Sequence, residues 1–369
     1  MSQYSSTLSN VRVLELASVL AGPLAGAALA ERGAQVTKVE RPPLGDVTRS
    51  WKTKKESPEK SSSAYYASAN GNKLLEWKDL KTQEGKEWLE GALAEHDVII
   101  ENFKESDLAG FGLEPESLAL RHPHLIHVRL IGFGGQPDRL AYDVVVQAET
   151  GYMHMNGAAD GPPMRMPVAL MDVLASHQIR AAVLEGLLAR ATGQSGFFAE
   201  VSLESSGISA LVNQASNLLN ADASPQRNGG LHPNIAPYGD VLKCADGHVV
   251  LAVGNDRQFV SLCQALEHSE WAEDERFLSN QLRVKNRSAL MQLLQDSTKD
   301  RGKIEVMVAF NESSVPAGMV KSLEEVFQHG TSGFNDLITN DDGQLRPAAI
   351  AYKVECFDQI RGGGPKTRG

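Results

Sequence analysis

The stretch VRVLELASVLAGPLAGAALAERGAQVTKVE, Val11 to Glu40, decides the fold, because it reads as strand, helix and strand in close succession. Val11–Leu16 is a short β-rich run. Gly22-Pro23 then opens an alanine-rich helix to about Arg32, Gly33 closes it, and Val36–Glu40 forms the next strand. Proline suits the first helical turn, where its missing N–H would have no partner, and glycine suits the position just past the end. The result is a βαβ unit. The same alternation continues with a helix near Glu84–His96, a strand Asp97–Glu101, and a strand Leu125–Leu130 ahead of Gly132-Phe133-Gly134. Strands alternating with helices predict a parallel sheet covered on both faces.

Further along, Asn220–Gly230 turns to Asp, Ser, Pro, Asn and Gly, which marks a hinge or boundary. YGDVLKCADGHVVLAVG, Tyr238–Gly254, reads as a hairpin turning at Asp246-Gly247, and a mainly helical stretch follows to about Asp300. With 369 residues the chain is long for one core, so two domains are expected. We find no internal repeat.

Composition narrows the function classes. Apolar residues make up 42% and charged residues 22%, which is ordinary for a folded globular chain. A net charge of −10 argues against nucleic-acid partners, whose phosphates demand clustered Lys and Arg. Cys244, Cys263 and Cys356 are widely spaced and form no CxxC pair, so they read as reduced thiols. The opening residues carry no cationic segment followed by an apolar one, and no run reaches the ~20 apolar residues of a membrane span. A cytoplasmic protein without membrane contact is expected.

Familiar catalytic signatures are largely missing. Glu40 ends the second strand, where a dinucleotide-binding domain carries its ribose acid, but the preceding ASVLAGPLAG loop has no GxGxxG to admit a pyrophosphate. His122, His124 and His127 crowd around Pro123, yet two flank a turn and one enters a strand, so no metal set is expected. GxSxG, HExxH and Walker loops do not occur. What stands out is Asp172, in MPVALMDVLAS, where a single carboxylate interrupts an apolar run. Either it caps the helix that runs to about Arg190, or its charge is used at the mouth of a site. Caps are much the commoner case.

Several segments, taken together and in order, resemble the class III CoA-transferases, the CaiB/BaiF family. They are Val11–Trp51, NKLLEWKDLKTQEGKEWL (Asn72–Leu89), DVIIENF (Asp97–Phe103), RHPHLIHVRLIGFG (Arg121–Gly134), AYDVVVQAETG (Ala141–Gly151), MPVALMD (Met166–Asp172), HPNIAPY (His232–Tyr238) and VPAGMVKSLEEVF (Val315–Phe327). The resemblance implies an enzyme that moves CoA from an acyl-CoA donor to a small carboxylic acid acceptor. Asp172 is then the nucleophile, passing through an aspartyl-acyl anhydride and an aspartyl-CoA thioester. No tightly bound cofactor is implied; the CoA thioester is a substrate.

Position by position, Leu20, Ala21, Arg41, Lys78, Asp79, Leu80, Lys81, Asn102, Phe103 and Lys104 match family positions that line CoA. Tyr142 and Asp143, counted with this set, match a pair beside the nucleophile. Gly229 and Gly230 are candidate substrate-binding and oxyanion-stabilising amides. The sequence departs from the family pattern at Leu74, at Lys104–Ser106 and at Gly110, and the family continues with an acidic tail and a last helix beyond the position of Gly369. The related 2-methylacyl-CoA racemases use an Asp and a His; the histidine position holds Tyr142, leaving His154 or Asp240 as alternative proton carriers, and a CoA-binding relative without catalysis is a third reading. The fold implied is α/β, with a Rossmann-like large domain (1–220, then 321–369), a smaller α+β domain (225–320), and an interlocked homodimer. HPNIAPY resembles transferases that use succinyl-CoA and small dicarboxylates.

Overall fold

The computed structural model describes residues 7–328, 338–341, 343–352 and 354; Cys356 lies outside them. The chain forms two compact units. Of the described residues, the first contains 7–150, 167–211 and those from 338 onward, the second 151–166 and 212–328.

In the first unit the elements begin with β1 (Arg12–Glu15), α1 (Ala21–Ala30), β2 (Gln35–Glu40), α2 (Ala64–Asn70), β3 (Leu74–Trp77), α3 (Gln83–Glu95) and β4 (Val98–Glu101). They continue with α4 (Glu105–Phe111), α5 (Pro115–Arg121), β5 (Ile126–Ile131) and α6 (Asp143–Glu149). After α7 (Tyr152–Met155), which belongs to the second unit, come α8 (Leu170–Ala191), β6 (Phe198–Ser202) and α9 (Leu203–Ser209).

All six strands are parallel, in the order β3-β2-β1-β4-β5-β6. Sequence neighbours lie side by side until β4 crosses to the far edge of β1, so the order reverses there. Ligands of such sheets bind at the carboxyl ends of the strands flanking that reversal. The central strands β4 and β5 are buried at every position, as a sheet covered on both faces requires. One apolar cluster joins Leu14 and Ile99 of the sheet to Leu89 and Leu93 of α3, Leu108 of α4 and Leu118 of α5. On the opposite face α1 and α8 pack together.

The second unit contains α7, α10 (Val212–Ala221), β7 (Tyr238–Cys244), β8 (Gly247–Ala252), α11 (Asp256–Ala265), α12 (Asn280–Lys285), α13 (Arg287–Thr298), α14 (Lys303–Glu312), β9 (Ala317–Met319) and α15 (Leu323–Phe327). Its three strands are antiparallel, in the order β7-β8-β9, over a core that includes Val249, Phe259, Phe277, Leu294 and Phe310. This is the smaller α+β unit. The expected hairpin turns one residue early: Cys244 pairs with Gly247, so Ala245-Asp246 is the turn and Gly247 already belongs to the strand. Asp246 is held there by the Lys303 amide, 2.6 Å from its Oδ1.

Late in the chain β10 (Ile338–Asp341) and β11 (Gln344–Pro347) form a hairpin of the first unit. Glu31, at the end of α1, fastens it by accepting from Arg346 Nη1 (2.6 Å) and from the amides of Ala349 (3.0 Å) and Ile350 (2.9 Å).

One glycine couples the fold to the loop Lys78–Lys81. A Cβ on Gly85, in the first turn of α3, would stand 2.0 Å from the carbonyl oxygen of Asp79. Gly→Ala inside a helix ordinarily stabilises by ~1 kcal/mol. Here the clash is with backbone, so Gly85→Ala is expected to destabilise by ~1–3 kcal/mol. Denaturant titration reads the sign, and a stabilised variant would refute the packing described.

Candidate active site

The carboxyl ends of β1 and β4 are tied together at the reversal. Asn102, just past β4, accepts from the Ser18 amide through Oδ1 (3.2 Å) and donates through Nδ2 to the Ser18 carbonyl (3.2 Å). Beside it, Glu101 is fully buried and accepts from the Phe103 amide (2.8 Å) and from His127 (3.2 Å), which fixes the loop that carries Phe103 and Lys104. Phe103 packs on Phe111 with ring centroids 4.7 Å apart.

The loop from β1 to α1 is strained. Val19 has φ +74°, a left-handed conformation that a β-branched residue resists by about 1–3 kcal/mol. Its amide N–H donates to Asp46 Oδ2 at 3.1 Å. Asp46 is buried; it also accepts from the Thr48 amide (3.0 Å) and hydroxyl (2.7 Å) and lies 3.2 Å from the Lys38 ammonium. Burial pushes the Asp46 carboxyl up, but the Lys38 charge and the Thr48 donors outweigh it and hold the group below the usual range.

Asp172 lies in the first turn of α8 and is only 9% exposed. The cap reading is corrected: the N-cap is Ala169, without a side-chain hydrogen bond. The capping is done from outside, by Asp143 at the start of α6, whose Oδ1 accepts from the Met171 amide at 2.6 Å. Asp172 instead turns to the start of α1 and accepts from the Ala21 amide. Burial, and then repulsion from Asp143, push its pKa up to about 7, with the Ala21 hydrogen bond acting in the opposite direction. The same carboxylates raise the phenol of Tyr65, on α2, to about 12, with burial the largest cause.

Two cavities share Ser18, Asn102, Phe103 and Lys104. The smaller, of about 160 Å³, contains Asp172, Asp143, Tyr142, Ala21 and Arg139. The larger, of about 400 Å³, is lined by Lys38, Arg41, Lys78, Asp79, Leu80 and Lys81. Most of the residues matched to the CoA-transferases therefore converge, although Tyr142 and Asp143 stand with Asp172 and not in the larger cavity. Leu20 lines neither cavity; it is the N-cap of α1. Arg41 is 3.1 Å from Asp79. Lys78 lies over Trp88, 5.7 Å from the ring centroid.

Gly229 and Gly230 belong to the second unit, where the Gly229 amide is engaged with the Gly157 carbonyl at 2.9 Å. That donor is spent within its own unit. Asp240, a candidate racemase acid, is fully buried in the same unit, 2.7 Å from the Tyr238 amide and 3.6 Å from Arg287. His154 is exposed, also in the second unit. Sequence reading passed over Ser18, Val19, Asp46, Tyr65 and Arg139. Arg139 lies over the Phe133 ring at 3.8 Å and pairs with Glu149. Asp46 carries a faint signal, since Asp two residues before Thr reads as a local turn, but nothing in the sequence ties it to Val19.

Glu40 is not free to meet a ribose. It is buried and accepts from Arg49 (2.6 and 2.8 Å), from Tyr66 (2.6 Å) and from the Asp46 amide (2.8 Å). His122 faces Glu90 at 2.9 Å and His127 faces Glu101 at 3.2 Å. Among the described residues no group of three or more His, Cys, Asp or Glu stands together to hold a metal, and no helix is long and apolar enough to cross a membrane.

The first unit thus sets a buried carboxyl in a cavity at the reversal of a sheet in Rossmann order, beside a second cavity that several Lys and Arg side chains enter. Residues 8–357 match CoA-transferase family III, and the chain belongs to that family. A succinate–glutarate CoA-transferase of Agrobacterium fabrum is 38% identical over 92% of this chain and 87% of its own. A mouse succinyl-CoA:glutarate CoA-transferase is 34% identical over 90% and 76%. The crystal structure of a CAIB/BAIF family protein from Brucella suis superposes with a TM-score of 0.81 at 36% identity, covering 94% of this chain and 92% of the other.

The protonation of Asp172 has a thermodynamic consequence. A carboxyl whose pKa is raised by folding from 3.8 to about 7 binds its proton more tightly in the folded state. Its stabilising contribution is complete below the unfolded pKa and is lost as pH rises through about 7. Asp172→Asn, which keeps an oxygen for the Ala21 amide, should gain stability relative to the parent between about pH 4 and pH 8, by up to a few kcal/mol. Chemical denaturation at several pH values measures it; a difference independent of pH would contradict the burial of a titrating carboxyl.

Proposed function

We propose that this class III CoA-transferase moves CoA from an acyl-CoA thioester to a small dicarboxylic acid, with Asp172 as the nucleophile. The carrying observation is the buried Asp172 carboxyl, pressed by Asp143 and met by the Ala21 amide, in a cavity that adjoins one lined with Lys and Arg. The ionised carboxylate attacks the donor thioester carbonyl, the C–S bond breaks, and an aspartyl-acyl anhydride forms with CoA thiolate as leaving group. The thiolate then attacks the aspartyl carbonyl, releasing the donor acid and leaving an aspartyl-CoA thioester. The acceptor carboxylate attacks that thioester, and the expelled thiolate takes the acceptor acyl group from the second anhydride, regenerating Asp172.

Burial serves this sequence twice. A desolvated carboxylate is a stronger nucleophile, and water, which would hydrolyse the anhydrides, is kept out. The Ala21 amide, at the N-terminus of a ten-residue helix, bears partial positive charge that favours an anion beside it. Arg41, Lys78, Lys81 and Lys104 supply charge for the phosphates of CoA, while Phe103 offers an apolar face. The names of the related transferases support succinyl-CoA as donor and a short dicarboxylate as acceptor.

We further propose that the enzyme works as a homodimer in the cytoplasm. The edge strand β3 leaves Leu74, Leu75 and Trp77 exposed, apolar surface that a second copy would cover. The buried, unpaired thiols Cys244 and Cys263 suit a reducing compartment.

A panel of acyl-CoA donors and carboxylic acids, with product thioesters read by mass, tests the reaction. Asp172→Ala should lower exchange by about three orders of magnitude or more while keeping CoA binding, and hydroxylamine should trap Asp172 as a hydroxamate. Because the nucleophile must be ionised, kcat/KM should rise tenfold per pH unit below about 7 and level off above it. Deuterium uptake at carbon 2 of a 2-methylacyl-CoA, without any acceptor-dependent product, would overturn the proposal in favour of proton-transfer chemistry.

A further inference from the structure

We propose that Asp46 is a positioning residue for Asp172: its buried carboxylate locks Val19 in the left-handed conformation and so aims the Ala21 amide at the Asp172 carboxylate. The inference rests on the reading of Asp172 as nucleophile. Its geometry stands independently.

The segment from Ser18 to Ala21 is held at two points. Asn102 grips both the amide and the carbonyl of Ser18, and Asp46 takes the Val19 amide at 3.1 Å. Two residues on, α1 begins, and its first amide goes to Asp172. A valine at φ +74° does not stay there by preference. Without the Asp46 acceptor the loop would relax towards ordinary dihedrals, and the start of α1 would turn with it. Asp46 is suited to the task because Lys38, itself 1% exposed, keeps it ionised, and Thr48 orients its other oxygen.

Lys104, Asp138 and Arg139 line the cavity that contains Asp172, with Arg139 paired to Glu149. Asp143 faces Asp172 from α6 and Tyr65 from α2. α1 carries no charged residue. On α9, Glu204 is directed to the Gly134 amide (3.0 Å), and on β5, Arg129 is directed to Glu101 and Glu200. Around Asp46 stand Lys38 and, beyond it, Glu15, together with Glu40, which accepts from the Asp46 amide, and Arg49, Lys73, Tyr65 and Tyr66. The Ala21 hydrogen bond is thus the main influence that lowers the affinity of Asp172 for its proton.

Asp46→Asn removes the anion while preserving shape. The acid limb of kcat/KM should move up by about half a unit to one unit, with kcat at pH 7 falling several-fold. Adding Val19→Gly, which adopts positive φ without a clamp, should return the limb towards the parent value. A difference-infrared titration of protein labelled with [4-13C]aspartate, referenced to Asp172→Asn, reads the Asp172 proton without turnover. It separates failure of this proposal from failure of the transferase reading. If Asp46→Asn does not fold, Thr48→Val, which deletes the 2.7 Å hydroxyl contact, should give a smaller shift with the same repair. An unmoved limb and infrared titration in a folded variant, or a shift that Val19→Gly does not repair, overturns the proposal.

Discussion

An ammonium group sealed from water must be surrounded by acceptors, and the carboxyl ends of β1 and β2 are organised around one. Lys38 Nζ lies 3.2 Å from Glu15, 3.2 Å from Asp46 and 3.0 Å from the carbonyl of Ala17. Lys73 adds a second buried amino group, 2.8 Å from Glu15 and 2.7 Å from the carbonyl of Pro23, and burial lowers its pKa to about 7 against the opposing pull of Glu15. Removing Glu15 or Lys38 from this cluster leaves a buried partner unsolvated and uncompensated, which costs about 3–5 kcal/mol. The cluster spans β1, the start of α1, β2 and the approach to β3, so these segments keep their mutual positions. The turn at Gly45-Asp46 joins the same cluster through Asp46, and through Asp46 so does the strained backbone of Val19.

That cluster also explains how a sheet in dinucleotide-binding order serves another ligand. In the nucleotide-binding version, glycines after β1 let a pyrophosphate approach the backbone, and an acid after β2 meets the ribose. Here the loop after β1 is occupied by its ties to Asn102 and Asp46, and Glu40 is consumed by Arg49 and Tyr66. The larger cavity opens beside the loops after β2, β3 and β4, where Arg41, Lys78, Lys81 and Lys104 line it together with Asp79 and Asp107. The buried Asp172 carboxyl stands in the adjoining cavity, facing the first amide of α1.

Much of the first unit was legible in sequence because its signals are local. Gly22-Pro23 and Gly33 bracket α1, and the apolar run DVIIE becomes a fully buried β4. The hairpin β7–β8 was legible to within a residue, since Asp246-Gly247 is a turn signal whose register depends on pairing across the strands. What could not be read are the contacts that span distance. Asp172 looked like a cap because nothing nearby competes for the role, yet Asp143, 28 residues before the Met171 amide it accepts from, performs it. The Val19–Asp46 contact crosses 27 residues and the Ser18–Asn102 pair crosses 84. Nor does any local pattern mark 151–166 as part of the second unit, because a single helical turn followed by a Gly- and Pro-rich segment is too short to carry periodicity. Asp172 was singled out by its chemistry, a lone acid in an apolar run, and the family resemblance decided between the two readings.

Gly26 has a wider bearing. A Cβ at that position would fall 1.8 Å from Glu15 Oε2, so the helix and the buried acid share one volume. The acid cannot simply swing aside, since Lys38 and Lys73 hold it. Sequence drift at the two positions is therefore linked: a larger residue at 26 is tolerated only where 15 has shortened, and a shortened 15 strands two buried amino groups. Homologous chains should thus exchange these sites as a set of four or leave them alone, and a graft of α1 from a distant relative would need Glu15, Lys38 and Lys73 to travel with it.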